Sequence, residues 1–177
     1  MQLRIKNSVI ESVREIVFGL EDSLVSTMGA LTGIAIGTED RSVIILSGLV
    51  ILAVEATSMA AGSFLSTQTA ELAEEKSNKT VERKSVKAAI VMVVSYFFGG
   101  IVPLAPYIFL KPSIAIFPSV FFTILALAGV GVWASRYTKR SFLRSAGEMV
   151  IISLAAAAIG YFVGWLVSHY FSVNTLL

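Results

Sequence analysis

The feature that most constrains this chain is a series of five long apolar blocks, separated by short polar segments. Each block holds about 20 residues, which in an α-helix is the length needed to cross the hydrocarbon core of a bilayer. Backbone polar groups cannot be left unpaired in lipid, so apolar blocks of this length predict transmembrane helices. The predicted spans cover residues 19–37, 43–65, 88–110, 113–135 and 149–171.

Composition agrees with an all-α integral membrane protein and excludes several kinds of site. Of the 177 residues, 15% are charged, whereas a soluble domain carries about a quarter. The chain has no cysteine, which excludes disulfides, thiolate metal sites and cysteine nucleophiles. Its single histidine, His169, excludes a multi-histidine zinc site within one chain. Nucleotide-binding, serine-hydrolase and zinc-protease motifs are absent, so we predict neither an enzyme nor a resident cofactor.

The distribution of basic residues predicts how the five spans are oriented. Every Lys and Arg except Arg41 and Lys111 lies before the first span or in the connections after spans two and four. Five crossings place these three segments on the same side of the membrane. Because cytoplasmic segments carry the excess of Lys and Arg, we predict a cytoplasmic N-terminus and a C-terminus outside.

Two segments outside the spans complete the predicted organisation. Residues 1–18 alternate charged and apolar side chains at helical period, which predicts an amphipathic N-terminal helix. This helix either lies on the membrane or runs straight into the first span. Residues 19–177 then form the five-helix transmembrane domain, with a cytoplasmic loop at 66–87.

An acidic residue stands inside the second apolar block, one helical turn before a methionine. Glu55 and Met59 are predicted to share one helical face with Ser58. A charge at that depth is expensive and usually marks a transport pathway, a proton relay or a paired site. The alternative is that Glu55 pairs with a neighbouring helix and only holds the bundle together.

The first block carries two acidic residues of its own, Glu21 and Asp22. The polar turn near Glu39 folds the first two spans into an antiparallel hairpin, and Asp22 and Glu55 stand almost equally far from it. At the helical rise, the two carboxylates are expected within a few ångströms of each other in depth. Met59 is expected one turn further toward the cytoplasm.

A stripe of small residues accompanies Asp22 on the first helix. Ser26, Gly29 and Gly33 follow on the same face, and Gly37 continues it. Small residues at this spacing allow close contact between helices. We therefore predict a homodimer with this glycine face at its centre, an arrangement that shields the buried acids from lipid.

Two carboxylates, hydroxyls and a thioether form a mixed set of metal ligands. Carboxylates alone suit Mg²⁺, Ca²⁺ or Mn²⁺, whereas the thioether of Met59 shifts the preference toward Fe²⁺ or a later transition metal. The alternative for Met59 is that it only packs against other side chains. Because burial favours protonated carboxylates and cation binding favours ionised ones, such a site can exchange metal for protons.

Three acidic residues follow the second span, at Glu71, Glu74 and Glu75. Their spacing makes them face the same way if the second helix continues. Two interpretations remain open. The segment is a solvated helix stabilised by pairs such as Glu75 with Lys79, or it is an acidic antechamber that gathers divalent cations.

Two stretches of the sequence resemble a known family. Residues 19–27 (GLEDSLVST) look like the GxxDGLVTT opening of the first helix in the vacuolar iron transporter family. Residues 54–66 (VEATSMAAGSFLS) resemble that family's second-helix signature, ADGxSMGxGDYLS. Ser63 stands where the family usually has Asp or Glu, and Ser23 replaces a usual glycine. The short connection after span two resembles prokaryotic-type members without a long cytoplasmic metal-binding domain.

The resemblance implies a homodimeric, proton-coupled exporter that moves Fe²⁺, often also Mn²⁺, out of the cytoplasm as its substrate. Carried over by position, the metal path holds Asp22, Glu55 and Met59. Candidate secondary path positions are Glu21, Ser26, Ser58 and Ser63, and the candidate cytoplasmic entry for metal, under the acidic-antechamber interpretation, is Glu71, Glu74 and Glu75. The expected location is the cell membrane of a prokaryote or a vacuole-type membrane of a eukaryote.

Two other functions remain open from the sequence. In the first, the chain is a non-transporting membrane scaffold whose buried acids only fix helix pairing. In the second, it is a carrier or channel for another divalent cation. A nucleic-acid partner is not expected, because the net charge is only +2.

Overall fold

The computed structural model describes residues 2–137 and 142–171, and within these ranges every regular element is an α-helix. The five helices are α1 (Gln2–Thr38), α2 (Arg41–Ala73), α3 (Asn78–Phe109), α4 (Pro112–Ser135) and α5 (Phe142–Phe171). The all-α class and the five helices expected from the apolar blocks are therefore confirmed. Lys139 and Arg140, which entered the orientation prediction, and the C-terminal end after Phe171 lie outside the described residues.

Four of the helices are long and apolar enough to cross a membrane. They are α2, α3, α4 and the Gly147–Tyr170 part of α5. In the most apolar stretch of α5, only 11% of the residues are buried inside the chain. Its apolar surface therefore faces outward, as suits contact with lipid. α1 is not among the four, because acidic and small residues lower its hydropathy, and its membrane crossing stays a prediction.

α1 is the central helix of the bundle. It packs against all four other helices, most extensively against α5 and α3. Its buried side chains include Leu24, Met28 and Leu31. α2 packs mainly against α3 and is the helix that contacts α1 least. α2 thus forms the smallest interface that α1 makes, and we call this interface the cleft because a cavity opens in it near the end of α2.

The turn between α1 and α2 is fixed by local hydrogen bonds. Asp40 caps α2, because its Oδ1 accepts hydrogen bonds from the backbone N–H groups of Ser42 and Val43 at 2.7 and 3.2 Å. Glu39 adopts a left-handed conformation with a φ of 51°. The chain reverses within these residues, so α1 and α2 form the antiparallel hairpin that the polar turn predicts.

Two predicted boundaries differ from the observed helices. α1 continues without a break across residues 18 and 19, so the amphipathic segment runs straight into the first apolar block. The loop predicted at 66–87 is wrong as a loop, because α2 ends at Ala73 and α3 already begins at Asn78. Glu, Lys and Ala have good helix propensity, and they continue both helices beyond the apolar sequence.

The small-residue face of α1 packs against α5 of the same chain. A Cβ added to Gly33 would lie 2.7 Å from the backbone oxygen of Gly160, and one added to Gly160 would lie 2.0 Å from the oxygen of Gly29. The two backbones are thus in direct contact, which larger residues would prevent. α5 of the same chain therefore covers part of the glycine face, and the homodimer centred on that face stays a prediction.

We expect Gly160→Ala to destabilise the bundle, because the added methyl group forces α1 away from α5 at a cost of about 1–3 kcal/mol. Gly62→Ala is the matched control, since nothing lies within 4 Å of a Cβ at that position. There the higher helix propensity of Ala is neutral or stabilising. Thermal unfolding in detergent measures both variants, and equal midpoints would contradict the close contact.

Candidate metal path

Three helices meet at Glu55, and two of them supply hydroxyl groups that bond its carboxylate. Glu55 Oε2 accepts a hydrogen bond from Ser26 Oγ of α1 at 3.1 Å and another from the Tyr96 hydroxyl of α3. The Ser26 and Tyr96 hydroxyl oxygens are themselves 2.9 Å apart. Tyr96 is fully buried, whereas Ser26 and Glu55 are half-buried beside the cleft. The acid predicted inside the second apolar block is therefore tied to both neighbouring helices.

Asp22 stands one helical turn before Ser26 on the same face of α1. It is half-buried, and the ionised carboxylate of Glu55 in α2 interacts with it electrostatically. Glu21 is also half-buried, and it interacts in the same way with Asp22. Interacting acids repel one another unless protons or a cation compensate their charge. The matching depth expected for Asp22 and Glu55 stays a prediction.

Met59 lies one turn beyond Glu55 and is half-buried. It packs against a core cluster that includes Leu52 and Tyr96, and its place one turn from Glu55 suits both a soft ligand and a packing residue. Ser58, by contrast, is exposed in the single chain. Its place on the metal path stays a prediction, because helical spacing puts it within one turn of Glu55 on α2.

Glu15 is a buried carboxylate opposite Ser63 that the family motifs do not reveal. It is 6% exposed, and its Oε2 accepts a hydrogen bond from Ser63 Oγ at 2.8 Å. The exposed side chain of Arg14 pairs with Glu15 Oε1 at 2.9 Å. α1 therefore places a carboxylate beside Ser63, the position where the family motif of α2 has an acid. The spacing gives a signal for it, since Glu15 precedes Asp22 by about two helical turns and so shares its face.

Polar side chains line both walls of the cleft. On α2 the lining residues recur every four positions, which keeps them on one slowly turning stripe. Glu55 and Ser63 bond side chains of α1, Thr67 and Glu71 line a cavity described below, and Met59 falls between them on the same stripe. On α1 the corresponding residues are Ser26, Asp22, Glu15 and Glu11. We call these two sets together the α1–α2 polar path.

A cavity of about 310 Å³ opens at the end of the α1–α2 polar path, where α1, α2 and the first turns of α3 converge. Acidic and basic side chains both line it, in nearly equal number. The acids are Glu11, Glu15, Glu71 and Glu74, and the bases are Arg14, Lys84 and Lys87. The cavity is therefore strongly polar, but its negative charge is largely compensated by cations of the chain itself.

Glu71 is 5% exposed and lies between two lysines. Its carboxylate pairs with Lys76 and with Lys84, each at 2.9 Å. Glu74 pairs with Lys76 at 2.6 Å, and hydrogen bonds to Glu74 and Glu71 raise the pKa of Lys76 above its ordinary value. Glu75 follows the end of α2 with a φ of 54°. The prediction that all three acids face the same way is wrong for Glu75, because the helix ends before it.

Within residues 2–137 and 142–171, no three His, Cys, Asp or Glu side chains form a group that could hold a metal ion. Glu21, Asp22 and Glu55 do not make such a group by themselves. A metal ion at Glu55 would therefore also need hydroxyl or thioether ligands, or ligands from a second chain. The candidates in this chain are the hydroxyls of Ser26 and Tyr96, which bond Glu55, and the thioether of Met59, one turn away on α2.

The sequence matches the family model of the VIT family over residues 13–85 and 71–165. Among curated relatives, Vacuolar iron transporter homolog 4 of Arabidopsis thaliana is 30% identical in an alignment of 159 positions, which covers 84% of this chain and 80% of that protein. Vacuolar iron transporter 1 of Oryza sativa subsp. japonica is 24% identical in a gapped alignment of 208 positions, which covers 84% of this chain and 82% of that protein. With its four long apolar helices, this is a multi-pass integral membrane protein. The chain belongs to the VIT family.

Proposed function

We propose that this chain is a proton-coupled exporter that moves the divalent ions Fe²⁺ and Mn²⁺ out of the cytoplasm. Family membership and the printed names of the relatives support metal transport. The observation that carries the finer proposal is the α1–α2 polar path, which leads from a polar cavity to the interacting acids Asp22 and Glu55. Charged groups are costly inside an apolar bundle, and they suit a binding point on a transport route.

The two acids provide the coupling between metal and protons. Asp22 and Glu55 repel each other when both are ionised, so protonation relieves the repulsion when no cation is bound. A divalent cation between them favours the ionised forms, and its binding therefore releases protons. Ser26 and Tyr96 hold Glu55 in place through both steps, because their hydroxyls bond the carboxylate.

Met59 sets the preference among divalent ions. A thioether beside a carboxylate favours Fe²⁺ and later transition metals over Mg²⁺ and Ca²⁺, which bind oxygen ligands. Met59 also packs against the core cluster, and this contact supports a second candidate function. If packing is its whole role, the remaining ligands are oxygens, and the chain is a carrier for a harder divalent cation.

The orientation and the homodimer belong to the same proposal. α1 crosses the membrane as a fifth span, and the basic segments and the cavity lie in the cytoplasm. Asp22, Ser26 and Glu55 are only half-buried in one chain, so their polar groups border lipid unless a second copy covers the cleft. A homodimer formed across the cleft supplies that cover and a second set of ligands.

We expect neutralisation of either acid to abolish transport. Asp22→Asn and Glu55→Gln keep the size of the side chain but remove the charge, so metal uptake should fall at least about tenfold, equivalent to ~1.4 kcal/mol. Fe²⁺ and Mn²⁺ uptake into proteoliposomes under an imposed pH gradient measures this. Asp40→Asn is the matched control, because Asn caps a helix as well as Asp and the turn lies away from the path. Intact uptake in the path variants, or uptake indifferent to the pH gradient, would contradict the proposal.

We expect Met59→Leu to reduce the preference for Fe²⁺ over Mg²⁺ by about fivefold, because the only soft ligand of the path is replaced by an apolar side chain of similar volume. Competition of Fe²⁺, Co²⁺, Mn²⁺, Mg²⁺ and Ca²⁺ against labelled Mn²⁺ uptake measures the preference. Met92→Leu is the control, since Met92 is buried in α3 outside the path. Unchanged competition in Met59→Leu would assign Met59 to packing alone.

We expect Glu15→Gln to slow metal uptake by about fivefold, because the path loses the carboxylate that faces Ser63. The double variant Glu15→Gln, Ser63→Asp returns a carboxylate to the same place from α2 and should restore most of the rate. Initial rates over a range of Mn²⁺ concentrations compare the two. If the double variant is as slow as the single one, Glu15 acts through the structure of α1 and not as a carboxylate of the path.

A further inference from the structure

One lysine bridges the cavity at the end of the α1–α2 polar path. Lys84 Nζ lies 3.3 Å from Glu11 Oε1 of α1 and 2.9 Å from Glu71 Oε1 of α2. Lys84 itself belongs to the first turns of α3. A single ammonium group therefore connects the three helices that surround the cavity.

The two halves of this bridge differ in strength. The side chain of Glu71 is 7% exposed, whereas that of Glu11 is 48% exposed and its contact with Lys84 is longer. Exposed ion pairs contribute about 1 kcal/mol or less, because solvent screens the charges. Lys84 can therefore leave Glu11 at little cost, so the bridge across the cavity can open on its α1 side.

Glu71 does not require Lys84 for its own neutralisation. Lys76 pairs with the second oxygen of the same carboxylate at 2.9 Å, so a buried charge would remain compensated if Lys84 moved. The two lysines differ in place, since Lys84 lines the cavity and Lys76 does not. The neutralisation of Glu71 is thus shared by two lysines, and of these two Lys84 is the one that lines the cavity together with Glu15.

We propose that Lys84 is a selectivity residue, a tethered cation that competes with metal ions for the mouth of the α1–α2 polar path. While its ammonium group bridges Glu11 and Glu71, it compensates their charge and repels other cations. A divalent ion interacts with these carboxylates about twice as strongly as a monovalent one at equal distance, so it displaces the lysine where Na⁺ or K⁺ does not. This role rests on the proposed function, because it concerns ions that move along the same path.

The first test measures the electrostatics of the cavity without transport. The chain has no cysteine, so Ala70→Cys places a single thiol among the residues that line the cavity. In the full-length protein with this thiol, Lys84→Gln should raise the rate of modification by a cationic thiosulfonate, relative to an anionic one, by about fivefold. Lys84→Arg keeps the charge and should keep the original ratio.

Lys76→Gln is the matched control for this measurement. It removes a lysine that pairs with the same glutamate but lies outside the cavity lining, so the ratio should change less than about twofold. If Lys84→Gln fails to fold, the double variant Lys84→Gln, Glu71→Gln is compared with Glu71→Gln, because these two chains differ only in the charge of Lys84 and should show the same rise in the ratio. An unchanged ratio in the folded variant would overturn the proposal.

The second test measures selectivity in proteoliposomes. Lys84→Gln should lower the KM for Mn²⁺ by about fivefold with little change in kcat, and K⁺ should now inhibit uptake. A fall in kcat without a change in KM or in K⁺ inhibition would overturn the selectivity role and leave Lys84 a structural contact. If the labelling ratio changes in a chain that transports no metal, the result would support the repulsion of cations by Lys84 in the cavity. It would overturn the transport function instead.

Discussion

A carboxylate inside an apolar bundle needs hydrogen-bond partners, and Glu55 has them on two neighbouring helices. Ser26 reaches it from α1 and Tyr96 from α3, so the hydrogen bonds that satisfy the acid also fix how three helices stand relative to one another. α1 carries acids and small residues that are poorly suited to lipid. Its central place, in contact with every other helix, keeps much of that polar surface inside the protein. The need to accommodate polar groups thus shapes the bundle as much as its apolar faces do.

Much of the fold could be predicted because lipid imposes simple requirements on sequence. A spanning segment must be apolar over about 20 residues, so four of the five helices can be counted directly from hydropathy. A short polar turn must reverse the chain, so the similar distances of Asp22 and Glu55 from Glu39 predict that the two acids lie at matching depth. Both inferences depend only on position along a helix, which a single sequence specifies well.

The remaining features depend on how each helix is rotated and on which neighbour it meets. Ser58 was expected beside Glu55, and the rotation of α2 leaves it exposed in the single chain. Gly33 was expected to meet a second chain, yet α5 of the same chain approaches it. Tyr96 and Glu15 join the site from outside the motifs, since hydrogen bonds between helices distant in sequence are set by tertiary packing. Single-sequence periodicity places Glu15 on the face of Asp22, but it does not identify Ser63 as its partner, and it gives no information on Tyr96.

The unbroken length of α1 has a mechanical consequence. It extends from Gln2 to Thr38, about 55 Å at the helical rise, as one continuous α-helix that includes the residues at the cavity and those near Glu55. Glu11 and Glu15 therefore lie on the same helix as Asp22 and Ser26. A tilt or slide of α1 that separates Glu11 from Lys84 must also shift Asp22 against Glu55. The cavity and the site of Asp22 and Glu55 then change together and not independently.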